Sequence, residues 1–188
     1  MRPLLVAAIA GASVFTLTAA SCGRSSAPMP SVSQVDLPRF MGDWYVIAHI
    51  PSRPERDAWN AVESYRLADD GTVTTTFRYR GGSAEAPLET MHARGYVRAG
   101  TGNAIWGMQF IWPIRAEYVI AYLDPDYQET IIGRSARDYA WIMARTPTIP
   151  ESRYRLLVSR LQSLGYATDA LRRVPQQWPD GDATTSST

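Results

Sequence analysis

From residue 35 to residue 144 the chain alternates apolar and polar side chains in short runs, each cut by glycine, proline, asparagine or aspartate. That is the pattern of strands with one covered face, joined in sequence order by tight turns. Eight runs qualify: 42–50, 61–67, 72–79, 90–97, 105–112, 118–123, 130–132 and 140–144. The turn sequences between them include Asp69-Asp70-Gly71, Gly81-Gly82-Ser83, Gly100-Thr101-Gly102-Asn103 and Asp124-Pro125-Asp126, whose residues tolerate the backbone angles of turns. A 3.6-residue period begins only after Pro150, where Tyr154, Leu157, Val158, Leu161 and Leu164 share one face before Gly165. Residues 171–174 can add one outer strand. Eight strands and then one helix predict an all-β fold, an eight-stranded antiparallel up-and-down barrel with one C-terminal α-helix on its side. A two-sheet sandwich satisfies the same strand count.

Composition narrows the partners. At 188 residues the chain has length for one domain with a sizeable core. A net charge of +1 gives no field to attract nucleic acid, so nucleic acid is not expected as a partner. Six Trp and ten Tyr suit an apolar pocket, and equally an ordinary β core.

The amino terminus carries a second message. Arg2 precedes an apolar stretch from Leu4 to Leu17, then the small residues Thr18-Ala19-Ala20-Ser21. The stretch is too short to span a bilayer and reads as an export leader, residues 1–21. The single cysteine, Cys22, follows at once. Ala19-Ala20-Ser21-Cys22 resembles a bacterial lipobox, with Ala19 where leucine is usual. The resemblance implies cleavage before Cys22 and attachment of acyl chains such as palmitate, and two or more chains hold a protein stably at a membrane. Gly23, rather than Asp, implies sorting to the outer membrane. The predicted organisation is an acylated cysteine and flexible tether over 22–34, a folded domain over 35–178, and a disordered tail over 179–188.

Two blocks far apart in the chain carry a more specific resemblance. Phe40-Met41-Gly42-Asp43-Trp44-Tyr45-Val46 is similar to the Gly-x-Trp opening strand of the lipocalins. Trp141-Ile142-Met143-Ala144-Arg145-Thr146-Pro147 is similar to their last barrel strand with its closing arginine. Tyr65-Arg66-Leu67-Ala68-Asp69-Asp70-Gly71 and Leu123-Asp124-Pro125-Asp126-Tyr127 extend the match toward the bacterial and apolipoprotein D branch. The resemblance implies the barrel rather than the sandwich. It also implies that Gly42, Trp44 and Arg145 close one end, the guanidinium packed over the indole.

If Trp44 and Arg145 meet, strand alternation fixes which side chains face inward. Val46 and Ala48 follow from Trp44, and Trp141 and Met143 from Arg145. The apolar faces of the middle strands add Trp106, Met108, Phe110, Tyr118, Ile120 and Tyr122, leaving Val119, Ala121 and Leu123 beneath the helix. Exposure of Ser64 and Arg66 turns Glu63, Tyr65 and Leu67 inward. These residues are the expected lining, aromatic and nearly uncharged. They either pack a core or surround one small ligand. Arg53, Glu55 and Arg56 in the first long loop are candidates for its polar head.

Other chemistry finds little support. Two histidines and one cysteine cannot make a tetrahedral Cys/His zinc site, and no nucleophile elbow or phosphate loop occurs. His49 reads either as a haem ligand or as a solvent-facing strand-end residue. No cofactor, metal or enzymatic activity is therefore expected. The expected function is to hold a fatty acid, lysophospholipid or similar amphiphile, on a lipoprotein anchored at the periplasmic face of a bacterial outer membrane. The alternatives are a haem or pigment binder and an isomerase acting on a bound lipid through Glu63 or His49. A homodimer is left open.

Overall fold

The alternating runs join into one sheet in a computed structural model that describes residues 27–51 and 55–178. The leader, Cys22, Arg53 and the tail over 179–188 lie outside the described residues. The strands are β1 (Gly42–Ile50), β2 (Ala58–Leu67), β3 (Val73–Gly81), β4 (Leu88–Val97), β5 (Ile105–Gln109), β6 (Ala116–Leu123), β7 (Glu129–Gly133), β8 (Ala140–Ala144) and β9 (Arg172–Arg173). Each strand from β2 to β7 pairs antiparallel with the next, and β8 pairs with β1. The first half of β1 pairs with β2, Gly42 opposite Tyr65, and so closes the barrel. Closure satisfies ladder groups that an open edge would leave bare.

The second half of β1 lacks β2 as a neighbour, and the carboxy-terminal segment fills that gap. β9 pairs with Ala48 and His49, and the Val174 N–H donates to the Ile47 carbonyl at 3.0 Å. The Gln176 amide donates to the carbonyls of Val46 (2.9 Å) and Ala61 (3.2 Å), tying β1 to β2. Asn60 exchanges hydrogen bonds with Gln177 on the same seam.

Two helices flank the barrel. α1 (Leu37–Phe40) was not signalled by periodicity, because one turn is too short to show any. Asp36 caps it, accepting from the Arg39 N–H, and Pro38 presets its first turn. α2 (Glu151–Ser163) starts after Pro150 and buries Leu157 and Leu161 against the barrel wall.

Apolar side chains sort into an inner and an outer layer. The inner layer includes Phe40, Trp44, Val46, Tyr65, Phe77, Trp106, Ile120, Trp141 and Met143. The outer layer lies under α2 and includes Ile47, Ala48, Val119, Ile131 and Ile142. Strict alternation put Ala48 and Tyr122 inside, and both are outside. In β1 the register slips between Val46 and Ala48, so Ile47 is an extra residue and everything after it changes face. His49 thereby turns inward and is buried, at 2% exposure, which corrects its reading as a solvent-facing residue. In β6 a slip between Ile120 and Tyr122 acts likewise: Tyr122 packs against the outer layer beneath the Arg160 guanidinium, and Leu123 against the inner one.

Candidate functional site

One end of the barrel is shut by α1 and the start of β1. Gly42 adopts φ +91°, a left-handed angle that turns the chain from α1 into the strand, and a Cβ there would lie 3.5 Å from Arg145 Nη1. Trp44 is fully buried, its Nε1 donating to the Phe40 carbonyl at 2.9 Å. The Arg145 guanidinium sits 3.9 Å from the Trp44 ring. It also donates to the carbonyls of Asp43 (2.7 Å), Arg39 (2.8 Å), Met41 (2.9 Å), Phe40 (3.1 Å) and Tyr127 (3.3 Å). Burial lowers the Arg145 pKa to about 10, so it stays protonated at neutral pH.

Above this base the interior is filled by an aromatic floor. Trp106 stacks on Tyr118 with ring centres 5.0 Å apart and meets Tyr65 and Phe40 edge-on. The Tyr65 and Tyr118 hydroxyls hydrogen-bond at 2.5 Å. Trp106, Ile120, Met143 and Val46 belong to this packed part.

The other half of the barrel is open. A chamber of about 280 Å³ is lined by Glu55, Glu63, Met91, Met108, Phe110, Ala116, Glu117, Tyr118, Arg134, Tyr139 and Trp141. Its size is at the lower edge of small-molecule sites. Of the thirteen lining residues expected from the sequence, Leu67 is instead exposed, at 38%, and Glu63, Met108, Phe110, Tyr118 and Trp141 line the chamber. Val46, Tyr65, Trp106, Ile120 and Met143 lie in the packed half, and Ala48 and Tyr122 lie outside the wall.

Sequence reasoning missed Met91, Ala116, Glu117, Arg134 and Tyr139 as lining. Met91 was legible: Met91, Ala93 and Gly95 alternate with His92 and Arg94 in β4, which marks the inward face. Arg134 and Glu117 carry no such signal, since a charge beside a loop ordinarily faces water.

The chamber's described lining carries three carboxyl groups, on Glu55, Glu63 and Glu117, against one guanidinium, on Arg134. Glu63 is 1% exposed and its Oε2 has no hydrogen-bond partner among the described residues. Burial, reinforced by Glu55, pushes its pKa well above the ordinary carboxylate range, against a hydrogen bond with Tyr65 that favours ionisation. Burial therefore favours the neutral carboxylic acid form of Glu63, which can donate a hydrogen bond. Burial raises the Tyr65, Tyr118 and Tyr139 hydroxyls well above their usual range too. Glu55 accepts from Trp141 Nε1 at 3.2 Å. His49 approaches Glu55 at 3.9 Å, but burial and then Arg172 lower its pKa to about 4, so it is neutral at pH 7 and the contact is no ion pair. Arg134, the one guanidinium of the lining among the described residues, is held by both oxygens of Asp138.

The sequence profile of the Lipocalin-like domain matches residues 35–176. The chain belongs to the lipocalin family. Temperature-induced lipocalin-1 of Arabidopsis thaliana is 33% identical over 158 residues, 79% of this chain and 83% of that protein. Outer membrane lipoprotein Blc of Citrobacter freundii is 27% identical over 172 residues, 92% of this chain and 96% of that protein. Outer membrane lipoprotein Blc of Escherichia coli K12 is 29% identical over 152 residues, 80% of this chain and 83% of that protein. Among solved structures, insecticyanin from the tobacco hornworm Manduca sexta has the same fold, with a TM-score of 0.61 at 13% identity over 82% of this chain and 86% of that one. Membership of the family, rather than the fold alone, supports the coarse property of a barrel that holds a small hydrophobic ligand. Among the described residues no group of His, Cys, Asp and Glu is arranged to hold a metal ion.

Proposed function

We propose that this lipocalin is a lipid-binding outer-membrane lipoprotein, which holds the acyl chain of a fatty acid or lysophospholipid for storage, transport or membrane maintenance. The observation that carries the reading is the half-filled barrel: an aromatic-floored chamber, open at one end, whose wall includes Met91, Met108, Phe110, Tyr139 and Trp141. Each methylene buried in such a wall contributes about 0.8 kcal/mol. The two thioethers adapt to chains of different shape. At about 280 Å³ the chamber lies at the lower edge of small-molecule sites. That suits part of one acyl chain, not a two-chain lipid.

The acids argue for how the ligand sits. Glu55, Glu63 and Glu117 line a chamber whose only guanidinium among the described residues, that of Arg134, is already paired, so an anionic head is better left at the mouth, in water. The haem alternative loses its candidate ligand, because His49 is absent from the chamber lining. Anchoring at the periplasmic face of the outer membrane rests on Cys22 and on the likeness to outer membrane lipoproteins.

Binding is tested by titrating purified protein with a fluorescent fatty acid and competing with lysophospholipid. Met108→Arg places a charge in the wall and is expected to weaken binding by about tenfold or more, the loss of a few buried methylenes. Unchanged affinity would overturn the site. Cys22→Ser is expected to move the protein from the membrane to the soluble fraction, and unchanged fractionation would refute the anchor.

A further inference from the structure

We infer that residues 110–114 at the barrel mouth form a membrane-docking surface, which inserts into the lipid bilayer and sets the chamber opening against it. The segment is Phe110-Ile111-Trp112-Pro113-Ile114, where the sequence predicts that the fifth strand continues to 112. β5 instead ends at Gln109, and a turn closed by the Ile114 N–H on the Ile111 carbonyl (2.9 Å) projects the segment outward. Trp112 is 82% exposed, Ile111 73% and Ile114 69%, so this loop concentrates the bare apolar surface of the described residues. An exposed apolar cluster of this kind marks an interaction site. Tryptophan beside aliphatic residues is the composition favoured at the headgroup boundary.

Three observations select a bilayer as the occupant. The loop is continuous with the chamber, because Phe110 lines it while its neighbours face outward. An acyl chain leaving the chamber would therefore pass along apolar side chains into lipid without crossing water. The chain's amino-terminal segment ends at the same mouth: the Ala27 carbonyl accepts from Arg137 Nη1 at 2.7 Å, and the Met29 N–H donates to Ser135 Oγ at 3.0 Å, both in the β7–β8 connection. Cys22 lies five residues before Ala27, so an acylated Cys22 is at most ~18 Å from the mouth along the chain. The area is wrong for a second copy, since a stable dimer takes ~800 Å² from each partner and one five-residue loop cannot supply it.

The inference rests on the lipid-holding reading for its purpose, but docking is measured separately from chamber binding. The experiment uses the full chain with Cys22→Ser and vesicles of phosphatidylethanolamine and phosphatidylglycerol, some with brominated acyl chains. The unmodified loop is expected to cosediment with vesicles and to lose tryptophan fluorescence to the bromines. Combined Ile111→Ser, Trp112→Ser and Ile114→Ser should lower vesicle partitioning by about tenfold or more. Leu156→Ser, a half-exposed leucine on α2, should leave it unchanged. Absence of vesicle binding, or equal partitioning by the triple variant, would overturn the inference. So would a dimer that the triple variant turns into a monomer, which would assign the loop to a second copy. A fluorescent fatty acid assayed without vesicles separates the two readings. Docking without chamber binding refutes the proposed cargo alone, and chamber binding without docking refutes the loop alone.

Discussion

Replacing Arg145 with methionine tests the closed end most directly, because the aliphatic bulk remains and only the planar cation is lost. The guanidinium serves five backbone carbonyls and the face of Trp44. Not all five are left bare by its removal. The Phe40 carbonyl keeps Trp44 Nε1, and the Arg39 carbonyl is near solvent, where water substitutes. The carbonyls of Met41, Asp43 and Tyr127 remain, at about 1 kcal/mol each for a typical net hydrogen bond. The stack on the indole adds about 1 kcal/mol. The expected destabilisation is therefore about 3–4 kcal/mol, or about 10 °C in Tm for a domain of this size. Arg145→Lys keeps the charge but has three donors and no plane, so it should recover only part of the loss. Thermal and denaturant unfolding followed by circular dichroism measure both. Arg145→Met within ~1 kcal/mol of the parent would refute the account, as would full recovery by lysine. Because the aromatic floor separates Arg145 from the chamber, fatty-acid affinity of the folded variant should be unchanged.

The buried acid and base in and beside the upper half give opposite pH slopes. Glu63 has its folded pKa raised above its unfolded value, so the folded state holds the proton more tightly, and stability is fully present below the unfolded pKa and falls as pH rises above it. Glu63→Gln should remove that slope and raise the unfolding free energy at pH 7; a variant no more stable than the parent there would contradict a neutral buried Glu63. His49 has its folded pKa lowered to about 4, so stability falls as pH drops from about 6.5 toward 4, by roughly 3 kcal/mol in full. His49→Gln should flatten that limb in denaturant titrations between pH 4 and pH 7, and an unaltered limb would place the titration elsewhere. Leu161→Ala, at a fully buried position between α2 and the wall, should cost about 2–5 kcal/mol while leaving chamber affinity in place.

Much of the architecture was legible because a meander needs only local signals. Alternation and turn residues located all eight barrel strands, and the face of α2 followed from Leu157 and Leu161. The family blocks located the closed end, where Gly42, Trp44 and Arg145 have specific jobs. The candidate site was legible only in part, for a geometric reason. Parity propagates from an anchor such as Trp44 only while the ladder is unbroken, and one extra residue reverses every position beyond it. The extra residues here, Ile47 in β1 and Ala121 in β6, are ordinary apolar residues with no glycine or proline to announce a bulge. Ala48 and Tyr122 were therefore assigned to the wrong face, and His49 to water.

Parity also says nothing about height, and height decides which inward residues can meet a ligand. Trp106 and Met108 sit on the same face of the same strand, two residues apart. Trp106 stacks into the floor, whereas Met108 lines the chamber. The difference comes from the neighbours each residue meets across the barrel. Phe40, Tyr65 and Tyr118 converge on Trp106 and fill the space between the strands with four rings. At the level of Met108 the inward residues are Met91, Ala116 and Trp141, and the carboxyl groups of Glu55 and Glu63 enter among them. Glu63 borders this level as a fully buried acid, and its Oε2 has no hydrogen-bond partner among the described residues. Burial there penalises the charged carboxylate, so the upper half sets an acid that favours its proton beside an apolar, thioether-bearing wall. Height along the strand, which alternation cannot report, therefore separates the residues that pack the floor from those that border the chamber.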